Sequence, residues 1–275
     1  TMVDELDEAG GSLDVIDVTD AHARCPILRS AWLAGAAIDA AASDIDVALA
    51  VGVFRSLLAE HGGLLHLGER ATNLSQTGSG WTVTTNQGEW STGLVVNAGG
   101  AWADEVATLA GLEPVGLVPK RRTMAVSPFS PSMDPGDHFI ASADMSFYFR
   151  AEHETVMFSP ADETPSAPVD ARPEEIDIAM ALERVNEATT LGLRSVRQSW
   201  AGLRTFAPDG DLVIGPDPDM PSFVWCAGQG GYGIQTSPAA GQATAALALG
   251  HDLPPNLVSA GLVASMLSPA RLRPG

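Results

Sequence analysis

The chain has 275 residues, 45% of them hydrophobic, which is enough to bury one large core or two smaller ones and too apolar for general disorder. A formal net charge of −19, with no basic run to relieve it, opposes binding to nucleic-acid backbones or anionic lipid surfaces. Two distant cysteines, Cys25 and Cys226, make neither a disulfide framework nor a metal site, and Cys226 in the apolar run Phe223–Ala227 reads as a buried, inert thiol.

Thr1–Gly10 is acidic and polar, unlike a secretory signal, and no apolar run approaches the ~18 residues of a membrane span, so the cytoplasm is the default location. Asp44–His61 carries apolar residues at helical spacing and stops at Gly62-Gly63, which predicts an amphipathic helix with a glycine cap. Leu64–Leu67, Ala71–Ser75, Gly80–Thr85 and Glu89–Thr92 predict a small meander of short strands, punctuated by Gly78-Ser79-Gly80 and Asn86-Gln87-Gly88. Gly93–Gly100 reads as a buried strand running into small residues, with a helical pattern over Trp102–Leu109. Strand alternation returns in Lys120–Val126, Phe139–Phe149 and Thr155–Ser159. Asp162–Pro173 reads as a loop, Glu174–Thr190 as a helix and Ser199–Phe206 as a strand. The chain closes on strand Phe223–Ala227, glycine-rich turn Gly228–Gly233 and helix Ser237–Leu249. This returning order predicts two interleaved domains, one α/β and one α+β.

Gly228-Gln229-Gly230-Gly231-Tyr232-Gly233 satisfies G-x-G-x-x-G between a predicted strand and a predicted helix, and Asp252 lies roughly 20 residues further on. A dinucleotide fingerprint, however, opens a βαβ unit whose second strand carries the acidic residue, and no strand pattern surrounds Asp252. Two other readings stand beside it: a purely structural turn, and a loop that sets a helix N-terminus against an electron-rich ligand. Asn97-Ala98-Gly99-Gly100-Ala101-Trp102 is a second strand-to-helix crossing of small residues, open either to close ligand approach or to tight helix-on-sheet packing. Arg204 stands two residues after Gly202 on an otherwise apolar strand, where a charge is costly unless paired or at the surface. Lys120-Arg121-Arg122 gathers three of fifteen cations in one place, either for a function or to pair with nearby carboxylates. Tyr148 reads as a core aromatic with its hydroxyl at the rim.

Taken together, the segments Asn97–Asp104, Lys120–Arg122, Ser146–Arg150, Ser199–Pro216 and Ala227–Gly241 are similar to the D-amino-acid oxidase superfamily of FAD enzymes. Within it, Lys120–Arg122, Glu187–Thr190 and Gly231–Ser237 most resemble bacterial D-arginine dehydrogenases. The resemblance implies an FAD-binding domain of the glutathione-reductase-like Rossmann type over 40–115 and 205–275, interleaved with a mixed-sheet substrate domain over 12–39 and 116–204. It places Ala71 near the adenine, Ala98, Gly99, Gly100 and Trp102 along FAD, and Gly230, Gly231, Tyr232, Gly233, Ile234 and Gln235 against the flavin ring. It also implies that Arg204, helped by Tyr148, binds the α-carboxylate of a D-amino acid, with Arg121, Gly202 and Gln235 lining the pocket. The implied reaction passes the α-hydrogen as hydride to flavin N5, and water then hydrolyses the imino acid to a 2-oxo acid and ammonia.

The family's own N-terminal G-x-G-x-x-G unit has no counterpart in these residues, which leaves the FAD domain incomplete and its pyrophosphate cradle unassigned. A second chain or fragment supplying that unit is the expected partner, with Thr1 ahead of Met2 favouring a start other than the natural initiator. The alternative function is a non-catalytic remnant that keeps the substrate half of the fold without flavin.

Overall fold

The computed structural model describes residues 13–78, 80–130, 136 and 138–273. The acidic stretch Thr1–Gly10 and Ser79 in the expected first turn lie outside the described residues. In chain order, β1 (Asp14–Ile16) and β2 (Ala36–Ile38) pair antiparallel around helix α1 (Val18–Arg24). Helix α2 (Val47–Glu60) starts where the Asp46 carboxylate accepts the Leu49 N–H at 2.9 Å. It ends at the expected glycines: the Gly62 and Gly63 N–H groups donate to the Ala59 and Leu58 carbonyls, with Gly62 left-handed at φ 76°. Strands β3 (Ala71–Thr77), β4 (Gly80–Thr85) and β5 (Glu89–Thr92) form an antiparallel meander. Then come β6 (Val95–Asn97), a single 3-10 turn over Gly100–Trp102 and helix α3 (Ala103–Leu109). Strands β7 (Val118–Pro128), β8 (Phe139–Ala141), β9 (Tyr148–Glu152), β10 (Thr155–Ser159) and β11 (Thr164–Pro165) precede helix α4 (Glu175–Ala188). The chain finishes with β12 (Gln198–Phe206), β13 (Val213–Pro216), β14 (Phe223–Ala227) and helices α5 (Gly233–Ala248), α6 (Pro255–Ser259) and α7 (Ala264–Leu267).

The chain divides into two compact units: Thr1–Ser43, Arg121–Thr164 and Asp170–Leu203 make one, and Asp44–Lys120, Pro165–Val169 and Arg204–Gly275 the other. In the first, the sheet order β11-β7-β10-β9-β8 packs one face on α4, and β12 also pairs with β7. Ala181, Val185 and Ala188, on one stripe of α4, meet Phe149, Val156 and Phe158 of the sheet in a core closed by Ile27 and Leu28. Phe139–Phe149, expected as one strand, is instead a hairpin. Phe139, Phe147 and Phe149 share parity, so the apolar alternation passes unbroken over a turn built by polar side chains. There the Ser142 hydroxyl accepts the Ser146 and Phe147 N–H groups, and hydrogen bonds from Ser142 and Ser146 hold the Asp144 carboxyl down at about 2.

In the second unit, β14 pairs antiparallel with β13 and parallel with β6, giving the order β13-β14-β6. Trp81, Phe223 and Trp225 pack with Ala103 and Ala107 of α3 between this sheet and the meander. Small residues of α5, Ala240 and Ala243, let that helix approach Ile214 of β13 closely. Helix α5 begins at Gly233, four residues ahead of the expected Ser237, and runs through Pro238. The proline has no N–H for the Ile234 carbonyl, and the Ser237 hydroxyl takes that bond at 2.8 Å. Leu64–Leu67, expected as a strand, has no strand partner among the described residues, and Leu64 and Leu67 are each 74% exposed.

The turn between β13 and β14 is fixed by Asp217, a fully buried carboxylate that accepts the Trp225 indole N–H and the Arg273 guanidinium, each at 2.9 Å. Asp217→Ala strands a buried cation and an indole donor, and should cost about 3–5 kcal/mol. Denaturant titration of the variant checks this, and an unchanged midpoint would show that the pair contributes no net stability.

Candidate functional site

Two parallel neighbours, β6 and β14, each leave their carboxyl end through glycines into a helix, the position where open α/β sheets bind ligands. At the β6 end, buried Asn97 clamps the crossing: its amide donates to the Ala103 carbonyl at 2.8 Å and its oxygen accepts the Gly99 N–H at 3.2 Å. Asp104 clamps the same helix start from the other side, where its carboxylate accepts the N–H groups of Val115, Gly116 and Leu117. A Cβ on Gly99 would stand 3.1 Å from the Asn97 oxygen and 3.3 Å from the Ala103 nitrogen, so glycine is needed for the tight turn. Gly100 is left-handed at φ 55° with open space beside it, and Trp102 is partly exposed. Ala98 lies between Asn97 and Gly99 in this turn, whereas Ala71 sits at the start of β3, packed against the core of the unit.

At the β14 end, the turn 228–232 delivers the chain to the N-terminus of α5, a sixteen-residue helix with no side chain capping its first turn. Its amide donors and positive dipole end are therefore offered to whatever lies in front of Gly233, Ile234 and Gln235. Tyr232 and Ile234 stand 61% and 52% exposed there. The Gly230 N–H donates to the Thr205 carbonyl at 2.8 Å, which ties the turn to β12. A methyl on Gly231 would come within 2.9 Å of Arg204 Nη1, and Lys120 Nζ lies 4.5 Å over the ring of Phe206, itself packed on Gly230. A protein of net charge −19 thus sets an arginine against the turn that leads into this helix, with a lysine over the Phe206 ring that packs on Gly230. Among the described residues Arg204 has no carboxylate partner. The donors suit an electron-rich ring edge or a carboxylate. No strand comes after α5 among the described residues, which removes the dinucleotide-fingerprint reading of Gly228–Gly233.

The remaining expected site residues lie in the first unit. Arg121 gives its guanidinium to Glu174 and to Asp177 (2.8 Å), with Asp162 at 3.6 Å, and Arg122 bonds the Asp162 carbonyl and Glu163. The basic triplet therefore spends Arg121 and Arg122 on neighbouring carboxylates. Burial disfavours the Arg121 charge, yet the bonds and charges of Glu174 and Asp177 outweigh it and raise its pKa. Tyr148 is buried, meets the Phe139 ring in a tilted contact at 5.2 Å between centroids and donates its hydroxyl to the Met124 sulfur at 3.2 Å. Gly202 sits on β12 with open space where a Cβ would be. Sequence reading missed Asn97, Asp104 and Phe206 as site builders, and left Lys120 open between a function and pairing with carboxylates. A polar residue ending a buried strand and an acid opening a helix were the available signals for the first two.

The family of FAD-dependent oxidoreductases designated DAO matches residues 2–247. The chain belongs to that family. FAD is accordingly its cofactor, and the α5 terminus with Gly230 and Gly231 fits the ring end of such a group. The bovine FAD-dependent oxidoreductase domain-containing protein 1 is 31% identical over 182 residues, 58% of this chain but 36% of the bovine protein, so the match spans about a third of that relative. Glycine oxidase from Geobacillus kaustophilus superposes with a TM-score of 0.80 at 20% identity, covering 95% of this chain and 70% of that one. L-proline dehydrogenase from P. horikoshii gives 0.77 at 19% identity, with 96% and 70% covered. The mixed α/β architecture is that of these DAO-type neighbours.

The two glycines of the turn should respond differently to a methyl group. Gly231→Ala meets only the flexible tip of Arg204 and should keep the fold while displacing the guanidinium. Gly230→Ala meets the Phe206 ring at 3.0 Å from a left-handed backbone (φ 52°) and should cost at least about 1–2 kcal/mol. Melting curves of both variants and a crystal structure of the first check this; an unmoved Arg204 would show that the turn does not set its position.

Proposed function

We propose that the chain forms a major part of an FAD-dependent enzyme that oxidises the α-carbon of an amino acid, of D configuration and D-arginine-like side chain, to an imino acid that water converts to a 2-oxo acid and ammonia. The observation that carries this reading is Arg204, a guanidinium without a carboxylate partner among the described residues, beside the uncapped N-terminus of α5. Within the family, FAD supplies the two-electron acceptor for such an oxidation. Arg204 forks onto the substrate α-carboxylate, and the planar, permanently charged guanidinium fixes its two oxygens at once. The first amides of α5, with Gln235, favour negative charge on the ring edge before them. Ala98, Gly99, Gly100 and Trp102 line the cofactor, and Ala71 lies toward its adenine. Tyr148, Arg121 and Gly202 enter through the family resemblance alone, and the Arg121 guanidinium is committed to Glu174 and Asp177.

In this reading the second compact unit is the FAD-binding domain and the first the substrate-binding domain. The pyrophosphate cradle comes from a strand–turn–helix segment outside the described residues, carried in the same or another polypeptide. Configuration and side-chain preference rest on the sequence resemblance alone, since the similar structures are named for glycine, L-proline and L-amino acids.

Arg204→Ala in the flavin-loaded enzyme should raise the Michaelis constant at least tenfold, about 1.4 kcal/mol or more, with flavin content unchanged. Dye reduction with D-arginine, L-arginine and glycine in parallel measures it. An unchanged constant would remove Arg204 from the carboxylate role, and turnover of the L-isomer alone would remove the D configuration.

A further inference from the structure

Ala125 of β7, Phe149 of β9 and Phe158 of β10 turn into the core of the first unit, so their chain neighbours Met124, Tyr148 and Ser159 turn to the opposite face of the sheet. The register sets Tyr148 beside Ser159, and one step past the Phe158–Ala125 pair it sets Ser159 beside Met124. The three side chains therefore lie in one row across β9, β10 and β7. Along that row the Tyr148 hydroxyl donates to the Met124 sulfur at 3.2 Å, so the phenol passes over Ser159, which is small and fully buried. The Ser159 hydroxyl accepts the Ala161 N–H at 3.0 Å instead. From β8, the Phe139 ring meets the Tyr148 ring at 5.2 Å between centroids and limits its sideways movement.

A thioether sulfur is a weak acceptor, and an ionised carboxylate is a strong one. A buried phenol without any acceptor is costly, so the sulfur satisfies the hydroxyl while holding it only weakly. We propose that Met124 is a positioning residue for substrate binding: its sulfur holds the Tyr148 hydroxyl in place until a carboxylate displaces it. This rests on the reading that Tyr148 helps bind the substrate carboxylate, and names what holds that hydroxyl when no carboxylate is there. On binding, the O–H turns from the sulfur to a carboxylate oxygen; no covalent bond changes and the proton stays on the phenol. The choice of acceptor at 124 then sets the affinity. A stronger acceptor competes with the substrate, whereas an alkyl group leaves the donor unmet until the substrate arrives.

Met124→Leu and Met124→Gln keep the bulk of the side chain and change its acceptor strength in opposite senses. Acetate, as a bare carboxylate, is titrated calorimetrically into the flavin-loaded enzyme and into each variant. Met124→Leu should tighten acetate about threefold and Met124→Gln should weaken it about threefold or more, and both effects should vanish in a Tyr148→Phe background. A packing role alone would weaken binding in both variants and would survive the loss of the phenol hydroxyl. The NMR signal of Tyr148 isotope-labelled at Cζ, identified by its disappearance in Tyr148→Phe, should move with acetate and with each Met124 change. Equal weakening in both variants, no change in either, or effects that persist without the hydroxyl overturn the inference. If Tyr148→Phe binds acetate as tightly as the parent, Tyr148 leaves the carboxylate site and the inference goes with it; if it binds more weakly while the Met124 variants are inert, Met124 alone is excluded. The acetate pattern without turnover of any amino acid would sink the proposed reaction and leave the positioning role standing.

Discussion

The second unit depends on the three-residue parallel pairing of β6 with β14. Because the two strands point the same way, their carboxyl ends open on one side of the sheet, and both the Asn97–Trp102 crossing and the 228–232 turn are delivered there. Trp225, opposite Asn97 in the register, is fully buried and bonds Asp217, which locks the strand that carries the second turn. Asn97 and Asp104 act from behind the first. The backbone faces that remain open are therefore held rigidly before any ligand arrives, which is what lowers the cost of binding at a site made largely of main-chain donors.

Electrostatics sharpens that picture. In the first unit Arg121 and Arg122 are consumed locally, surrounded by Asp162, Glu163, Glu174 and Asp177, with their side chains nearly buried. Such pairs specify geometry more than they add net stability. Arg204, in the second unit, is treated differently, since no acid approaches it among the described residues although acids outnumber bases by more than two to one over the chain. The contrast between the satisfied guanidinium groups of Arg121 and Arg122 and the available one of Arg204 is what supports the proposed carboxylate role of Arg204.

Much of this was legible in the sequence. The glycine cap of α2, the three strands from Ala71 to Thr92, α4 and the small-residue crossing arise from local rules of glycine placement and periodicity. Reading failed where a partner or a side chain decides. Leu64–Leu67 has the composition of a strand, and a strand exists only with a neighbour. The hairpin at Ser142–Ser146 is hidden because its flanking aromatics keep parity across the turn. Helix α5 passes through Pro238 on a hydroxyl bond that propensity does not anticipate. The G-x-G-x-x-G match had the right glycines, but the elements after α5 are helices α6 and α7, with no second strand to complete a βαβ unit among the described residues. Site roles were harder still: Arg121 and Arg204 look alike in sequence, and only the carboxylates around one of them tell them apart.

The β6 edge, which pairs only with β14 among the described residues, and the exposed apolar helix α2 also bear on colloidal behaviour. An uncovered strand edge is a template for intermolecular pairing, and exposed valine, leucine and phenylalanine make the encounter adhesive. Mutual repulsion among molecules of charge −19 is the barrier that opposes it. That barrier shrinks with the Debye length, from about 30 Å at 0.01 M salt to about 8 Å at physiological ionic strength. Charge is thus what keeps such molecules dispersed, and added salt, by screening that charge, turns a dispersed chain into a self-associating one.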